Sequence, residues 1–478
     1  MIFCINQRSE GEGAVLMNKK YKVLFKDTII FALGGLGSKL ILFFLVPLYT
    51  NYLTTEEYGV ADLVFTIAQL IIPIVSVVIF EAVIRFGLMK DKNPAAVLKA
   101  ALVVTFIGSI VTVAISPLVG LYRSIAAWKW YLCIYIILNV ASNVLKSYLK
   151  VKDKNKSYAI ISVSQTLCLA LLNILLLVVF HTGVEGYLLS NIIALAAATV
   201  LTIAVGGVVK DLKKVPLDRV LLQEMVLYSA PLILNDLSWW VIHSSDKMML
   251  EAMVGAAALG IYTVATKMPS LINVLIGIFS QAWGLSSIKE MDSTNDTKFY
   301  AQVFEGYSFV TFGACVLIVS IVKPFMALYV GKNFQGAWVY VSLLLVSAVF
   351  SSIASYYGQL YVALKKSVNN MITTLTGAVV NIIVNFIFIP IVGIWGAVIG
   401  TVVAYIVLAT ARMIDVNKYI ESKIDHRKYF LNCTTIIAQG IIVSADFYVI
   451  PVSIVSIVLF VLINRDMFNI LLGTVKRK

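Results

Sequence analysis

Charge is scarce in this sequence. Of 478 residues only 13% are charged against 60% hydrophobic, and the mean hydropathy is +0.92. Soluble domains carry about 25% charged and about 45–50% apolar residues, so a water-soluble globular chain is excluded. Histidine is scarcer still, with three scattered copies. The five cysteines (Cys4, Cys133, Cys168, Cys315, Cys433) show no CxxC spacing, and four fall inside apolar runs. A disulfide framework and a metal cluster are therefore not expected, and no cofactor is. Long polar segments are also missing. The longest connections on one side run to about 15 residues, around Lys323 to Ala337 and Ser244 to Ala258, and hold no carboxylate–histidine pair. Acid–base catalysis on such loops is disfavoured, and no catalytic residue is expected.

Apolar runs fill the space that charge leaves. Fourteen windows of about 17–25 residues are long enough to cross a bilayer as helices, from 27–49 and 60–86 through 226–245 and 259–283 to 429–445 and 447–463. The last two are the weakest, and twelve spans with a re-entrant end is the alternative. The net charge of +13 is distributed by side. Thirty of the 38 basic residues, including those from Arg412 to Lys428, fall on alternate connections that share a side with both termini, five fall on the other side, and Lys39, Arg85 and Lys267 lie within spans. That asymmetry places both termini in the cytoplasm. It reads as topology rather than a nucleic-acid footprint, with anionic lipid headgroups as partners. The first sixteen residues are polar and too short for a signal peptide. Met17 reads as the natural start, with disorder of that segment as the alternative.

The chain repeats itself. A shift of 201 residues lays Phe25–Phe44 over Val226–Ser245, and Leu53–Val60 over Val254–Ile261. A shift of 210 lays Gly183-Val184-Glu185-Gly186 over Gly393-Ile394-Trp395-Gly396. The expected fold is an all-α polytopic membrane protein of about 14 transmembrane helices. Its expected parts are a cytoplasmic segment (1–26), an N-lobe of helices 1–6 (27–209), a cytoplasmic linker (210–224), a C-lobe of helices 7–12 (225–412), and a C-terminal helix pair with a basic tail (413–478). Six spans per lobe give parallel orientation, a cavity between lobes, and alternating access by rocking.

Pro47-Leu48-Tyr49-Thr50-Asn51-Tyr52-Leu53 followed by Glu56-Glu57-Tyr58-Gly59 resembles the polysaccharide/oligosaccharide flippase family. So do Glu81-Ala82-Val83-Ile84-Arg85-Phe86, Ser229-Ala230-Pro231 and Leu259 to Lys267. The family belongs to the superfamily that holds the multidrug exporters and the lipid II flippases. The resemblance implies transport of an oligosaccharide on undecaprenyl pyrophosphate from the inner to the outer leaflet of the bacterial cell (inner) membrane, for surface polysaccharide biosynthesis. Lipid-linked oligosaccharide and membrane lipids are the implied partners, and it raises a polysaccharide polymerase and glycosyltransferases of the same pathway as others. It also implies a cationic cavity between the lobes. Lipid II flippases carry several arginines there, whereas this chain offers Lys39, Arg85 and Lys267.

Lys39 lies about eleven residues from either end of its span, roughly 16 Å at helical rise, beyond the reach of snorkelling. An unpaired lysine at that depth costs roughly 2.5–3.5 kcal/mol, so it is expected to face a cavity. The preceding GGLGS lacks the order of a Walker phosphate loop. Asp236, one helical turn from Lys39 under the 201-residue shift, is a candidate counter-ion; separate satisfaction of each by water or polar neighbours is the equal alternative. Glu81 and Arg85 share a helix face and are read as an entry site for a pyrophosphate, which an arginine fork suits, with snorkelling of Arg85 to the cytoplasmic interface as the equal alternative. Lys267 completes the cationic lining, and Trp239 and Trp240 offer a ring to stack on a sugar, with lipid packing the expectation for at least one of them. Trp128, Trp130, Trp283, Trp338 and Trp395 are read as belt residues at span ends, Asp246 and Glu305 as interfacial, and Pro73, Pro231 and Pro390 as candidate kinks. Two other functions compete: a cation-coupled multidrug exporter of the same superfamily and a membrane-embedded polysaccharide polymerase.

Overall fold

The computed structural model describes residues 37–213, 215–293, 297–420 and 424–469. Met17, the segment before it and Phe31 to Leu36 lie outside the described residues. Within them the chain is helical with no strand, as it must be where no water is present to satisfy an open backbone.

The first helix, α1, covers 37–52 of the described chain. Then come α2 (Thr55–Ser76), α3 (Ile79–Gly87), α4 (Pro94–Gly120), α5 (Lys129–Val151), α6 (Asn155–Asn173), α7 (Gly183–Gly206) and the short α8 (Val208–Leu212). The second half holds α9 (Arg219–Met253), α10 (Ala256–Ala265), α11 (Lys267–Ser293), α12 (Thr297–Tyr329), α13 (Trp338–Ala363), α14 (Ser367–Val392) and α15 (Ile394–Val416). Two more, α16 (His426–Ser444) and α17 (Val449–Ile463), close the order.

Polar residues at the helix ends fix the starts. Thr54 and Glu57 form a reciprocal capping box on α2. Asn93 caps α4 with Pro94 at its first position. Asp218 and Asp425 accept backbone N–H groups at the starts of α9 and α16.

Ten helices among the described residues are long and apolar enough to cross a membrane, against the fourteen windows of the sequence. Four windows account for the difference. The first is described only from residue 37, and the eighth breaks at Thr266 between α10 and α11. Helix α16 carries Asn432, Thr434, Thr435 and Gln439, and α17 has 15 residues. The window 60–86 is also not one helix. Val77 and Val78, both at φ 52°, separate α2 from α3, although neither is glycine or proline. Pro231 and Pro390, by contrast, lie inside helices that run on past them.

Helices α2–α7 pack on one another, as do α9–α15, and α16 and α17 lean on α12 and α13. The two groups meet where α2 crosses α10 and where α9 runs along α2, α3 and α4. At the crossing, a Cβ added to Gly59 would strike the carbonyl of Ala256, and one added to Gly260 would strike the carbonyl of Thr55. Gly59 and Gly260 are 201 residues apart, as are Thr55 and Ala256, so the contact is made twice by equivalent residues. Glycine is required at both positions because each backbone comes within contact distance of the other.

Arg412, placed on a cytoplasmic connection by its sequence position, is instead 2% exposed inside the bundle. Its Nη1 donates to Ala354 O at 2.7 Å, Nη2 to Asn370 Oδ1 at 2.6 Å and to Thr374 Oγ1 at 2.8 Å, and Nε to Thr373 Oγ1 at 3.3 Å. One planar fork thus ties α13, α14 and α15. Lysine keeps the charge but not the fork, so Arg412→Lys is expected to destabilise the fold by about 2–4 kcal/mol through stranded buried acceptors. Thermal unfolding in detergent checks this.

Candidate functional site

The connections at 53–54, 254–255 and 330–337 lie at one end of the bundle, the outer end in the expected topology. That end is sealed in layers. The outermost is aromatic: Tyr49 and Tyr58 stack with ring centres 5.9 Å apart, and Tyr187 meets Tyr49 edge-on at 4.8 Å. Phe334 closes on Tyr58 at 5.9 Å. The Gly331 N–H donates to Thr50 Oγ1 at 2.9 Å, and Tyr329 donates to Phe43 O at 2.5 Å, which ties α1 to the end of α12. The glycine crossing of α2 and α10 continues the seal.

A charged layer lies one turn deeper. Asp62 of α2 accepts from Lys247 Nζ at 2.8 Å and from Thr263 Oγ1 at 3.0 Å. Both partners of the ion pair are largely buried, and Lys267 is near enough to act electrostatically on the same carboxylate. Trp240 Nε1 donates to Thr66 O at 3.0 Å. Glu251, buried, accepts from the hydroxyls of Tyr122 and Ser124. Positions 240, 247 and 251 recur at helical spacing, so one face of the last turns of α9 is fastened to the first group of helices and to the connection after α4.

Asp62, Lys247 and Glu251 went unread in the sequence. The window that began at residue 60 put Asp62 at a span edge, and the connection expected over 244–258 put Lys247 and Glu251 in water. A signal was present: Thr263, which binds Asp62, is its equivalent under the 201-residue shift.

Away from the seal, the sequence-expected residues divide. Lys39 is exposed and forms no ion pair or side-chain hydrogen bond among the described residues. Asp236 is half-buried and accepts from Asn235 Nδ2 at 3.3 Å. The two are not paired with each other in this structure. Glu81 and Arg85 lie on α3, both exposed, and do not bridge each other. Trp239, 39% exposed, stacks on His243 with centres 5.5 Å apart and planes 9° apart, whereas Trp240 is held by Thr66. Of the two rings, Trp239 is the one with a free face.

Asp246 is not interfacial. It is 3% exposed because α9 continues to Met253, two turns past it. It accepts from the Tyr262 hydroxyl, from Thr401 Oγ1 at 3.2 Å and from the Lys247 N–H at 2.9 Å. It lines a chamber of about 160 Å³ whose wall includes Tyr405, and the Tyr405 hydroxyl lies 2.9 Å from His243 Nδ1. Trp283, read as a belt residue, is 2% exposed and stacks on Tyr356 at 4.9 Å, because α11 runs on to Ser293. Among the described residues no three His, Cys, Asp or Glu side chains converge as metal ligands. On a connection at the opposite end, Lys92 Nζ donates to Glu224 Oε2 at 2.7 Å, and this hydrogen bond holds the amine above its ordinary pKa.

A family model described as polysaccharide biosynthesis protein matches residues 24–284. A protein of the Lsg locus of Haemophilus influenzae is 23% identical over 389 residues, which cover 78% of this chain and 95% of that one. Among solved structures, the lipid II flippase MurJ in an inward closed conformation superposes with a TM-score of 0.69 at 14% identity, over 92% of this chain and all of that one. A multidrug resistance MATE family transporter of the MOP superfamily, inward-facing, gives 0.59 at 15% identity, over 84% and 96%.

Proposed function

The chain belongs to the polysaccharide biosynthesis protein family, and from that premise we propose that it moves a lipid-linked oligosaccharide, carried on undecaprenyl pyrophosphate, from the inner to the outer leaflet of the bacterial cell membrane. The movement is alternating access between an N-lobe (27–209) and a C-lobe (225–412), with both termini cytoplasmic and 413–478 as an appended helix pair. The observation that carries the reading is the seal. Two helices related by the 201-residue shift meet through glycine at one end, with a buried ion pair behind them, while exposed Lys39 and Arg85 carry no counter-ion among the described residues. A structure closed on one side with unneutralised cations on the other suits an anionic cargo received from the inner leaflet.

In this reading Arg85 and Lys39 meet the pyrophosphate and Lys267 stands beside the gate carboxylate. Trp239 offers its free face to a sugar, and Glu81 and Asp236 complete the polar lining. Lys39→Ala and Arg85→Ala are each expected to lower delivery of polysaccharide to the cell surface by about tenfold, the worth of one charge-assisted contact, while Lys39→Arg retains it. Quantifying surface polysaccharide in a strain whose own copy is deleted checks this. Full delivery by both Lys39→Ala and Asp236→Asn would overturn the assignment.

The stacked Trp239–His243 wall and the Asp246 chamber favour a second reading, export of amphipathic cations in the same fold. Drug susceptibility of the deletion strain separates the two. The flippase reading expects it unchanged while intracellular lipid-linked oligosaccharide accumulates.

A further inference from the structure

A cavity of about 270 Å³ lies between α12, α16 and α17, at the ends that face the cytoplasm in the expected topology and apart from the layers described above. Among the described residues its lining carries charge of both signs in equal number: Lys298 and Lys428 against Glu305 and Asp425. Lys428 is paired with Glu305, and Asp425 Oδ1 accepts the Lys428 N–H at 3.0 Å as the cap of α16. Phe309 and Phe312 make its deeper wall apolar. The Ser308 hydroxyl lines it as well, 8% exposed and without a hydrogen-bond partner among the described residues. A buried hydroxyl left unpaired costs free energy unless something supplies its partner.

We propose that this cavity binds the headgroup of a zwitterionic phospholipid with a primary amine, phosphatidylethanolamine. Lys298 and Lys428 meet the phosphate, Glu305 and Asp425 accept from the ammonium, Ser308 donates to an ester or phosphate oxygen, and the phenylalanine wall takes the first methylenes of the acyl chains. Equal and opposite charge at the mouth disfavours a simple anion, since a bare phosphate would meet two carboxylates as well as two amines. A trimethylated ammonium brings no N–H for Glu305 to accept. Helix ends at the level of the bilayer interface, with an apolar wall directly below them, place the site where a lipid rather than a soluble metabolite reaches it. A lipid seated there would join the C-terminal pair to α12.

The test uses the full chain in nanodiscs that contain phosphatidylethanolamine, phosphatidylcholine and phosphatidylglycerol in equal parts, with retained lipid counted by native mass spectrometry. Phosphatidylethanolamine is expected to be retained about tenfold over each of the others, the effect of one charge-assisted hydrogen bond. Glu305→Gln removes that preference. Ser308→Ala lowers retention yet raises thermal stability in lipid-free detergent, since it deletes an unpaired hydroxyl; a merely structural serine would not separate the two readouts. Equal retention of all three lipids, or a preference for phosphatidylglycerol, overturns the proposal. So does displacement by soluble phosphoethanolamine at equal concentration, which would make the ligand a free headgroup. Phosphatidylethanolamine retention that appears only after truncation behind Asn469 also overturns it, because the chain's own tail would then be the occupant.

Discussion

Replacing Gly59 with leucine is expected to abolish delivery of lipid-linked oligosaccharide while leaving the protein in the membrane. The reason is local. The Cβ of any residue at 59 falls on the Ala256 carbonyl, a backbone atom that cannot swing aside as a side-chain tip can. Overpacking a core commonly costs about 1–3 kcal/mol and more where nothing yields. Because the clash exists only when α2 and α10 are crossed, that cost falls on the sealed state. At about 3 kcal/mol the sealed population drops more than a hundredfold relative to the open one, and a transporter that cannot seal cannot alternate. Gly260→Leu is expected to behave alike, since Gly260 meets Thr55 in the same way. Gly277→Ala, where a Cβ meets nothing within 4 Å, is expected to be neutral. Surface polysaccharide per cell, normalised to protein in the membrane, checks all three.

The second large effect is expected at the ion pair. Lys247→Ala leaves Asp62 buried with Thr263 as its remaining hydrogen-bond donor. Breaking a buried pair from one side costs about 3–5 kcal/mol, mostly the isolation of the remaining charge. The seal is therefore expected to loosen, and a cysteine introduced at Val60 to become reactive to membrane-impermeant thiol reagents from outside. The double variant Asp62→Ala/Lys247→Ala is expected to be less damaged than Lys247→Ala, because no unpaired carboxylate is left behind. A double variant as open as the sum of the single ones would show that the two side chains act independently.

The fold was legible where a single physical rule governed it. Apolar length marks the ten spans among the described residues, and repetition at 201 residues marks residues that touch. Gly59 and Gly260 stood in the aligned segments, and their reason became visible only when each backbone was seen against the other. What escaped reading were features set by tertiary contact. Val77 and Val78 break the window 60–86 four residues past Pro73, where the Ser76 hydroxyl accepts the Val78 N–H at 3.1 Å, and a β-branched pair by itself gives no turn signal. The sequence puts Asp246 at the interface and Lys247 in water because helix α9 outruns its apolar segment by two turns, which their partners on α2, α10 and α15 make tolerable. Arg412 was counted with the basic loops, yet its charge is held by amide, carbonyl and hydroxyl oxygens from two other helices. Lys39 carries no counter-ion among the described residues, and its place in an apolar run leaves pairing with Asp236 and separate satisfaction equally open.

The most direct measurement is of the seal itself. In a cysteine-free background, Thr55→Cys and Ala256→Cys place thiols on α2 and α10 at equivalent positions of the crossing, and a short reducible thiosulfonate cross-linker joins them. Transport of lipid-linked oligosaccharide into the outer leaflet of proteoliposomes is then followed before and after reduction. The account predicts that the cross-linked protein is inactive and that reduction restores the rate of the unlinked protein. Full transport with α2 and α10 held together would contradict it.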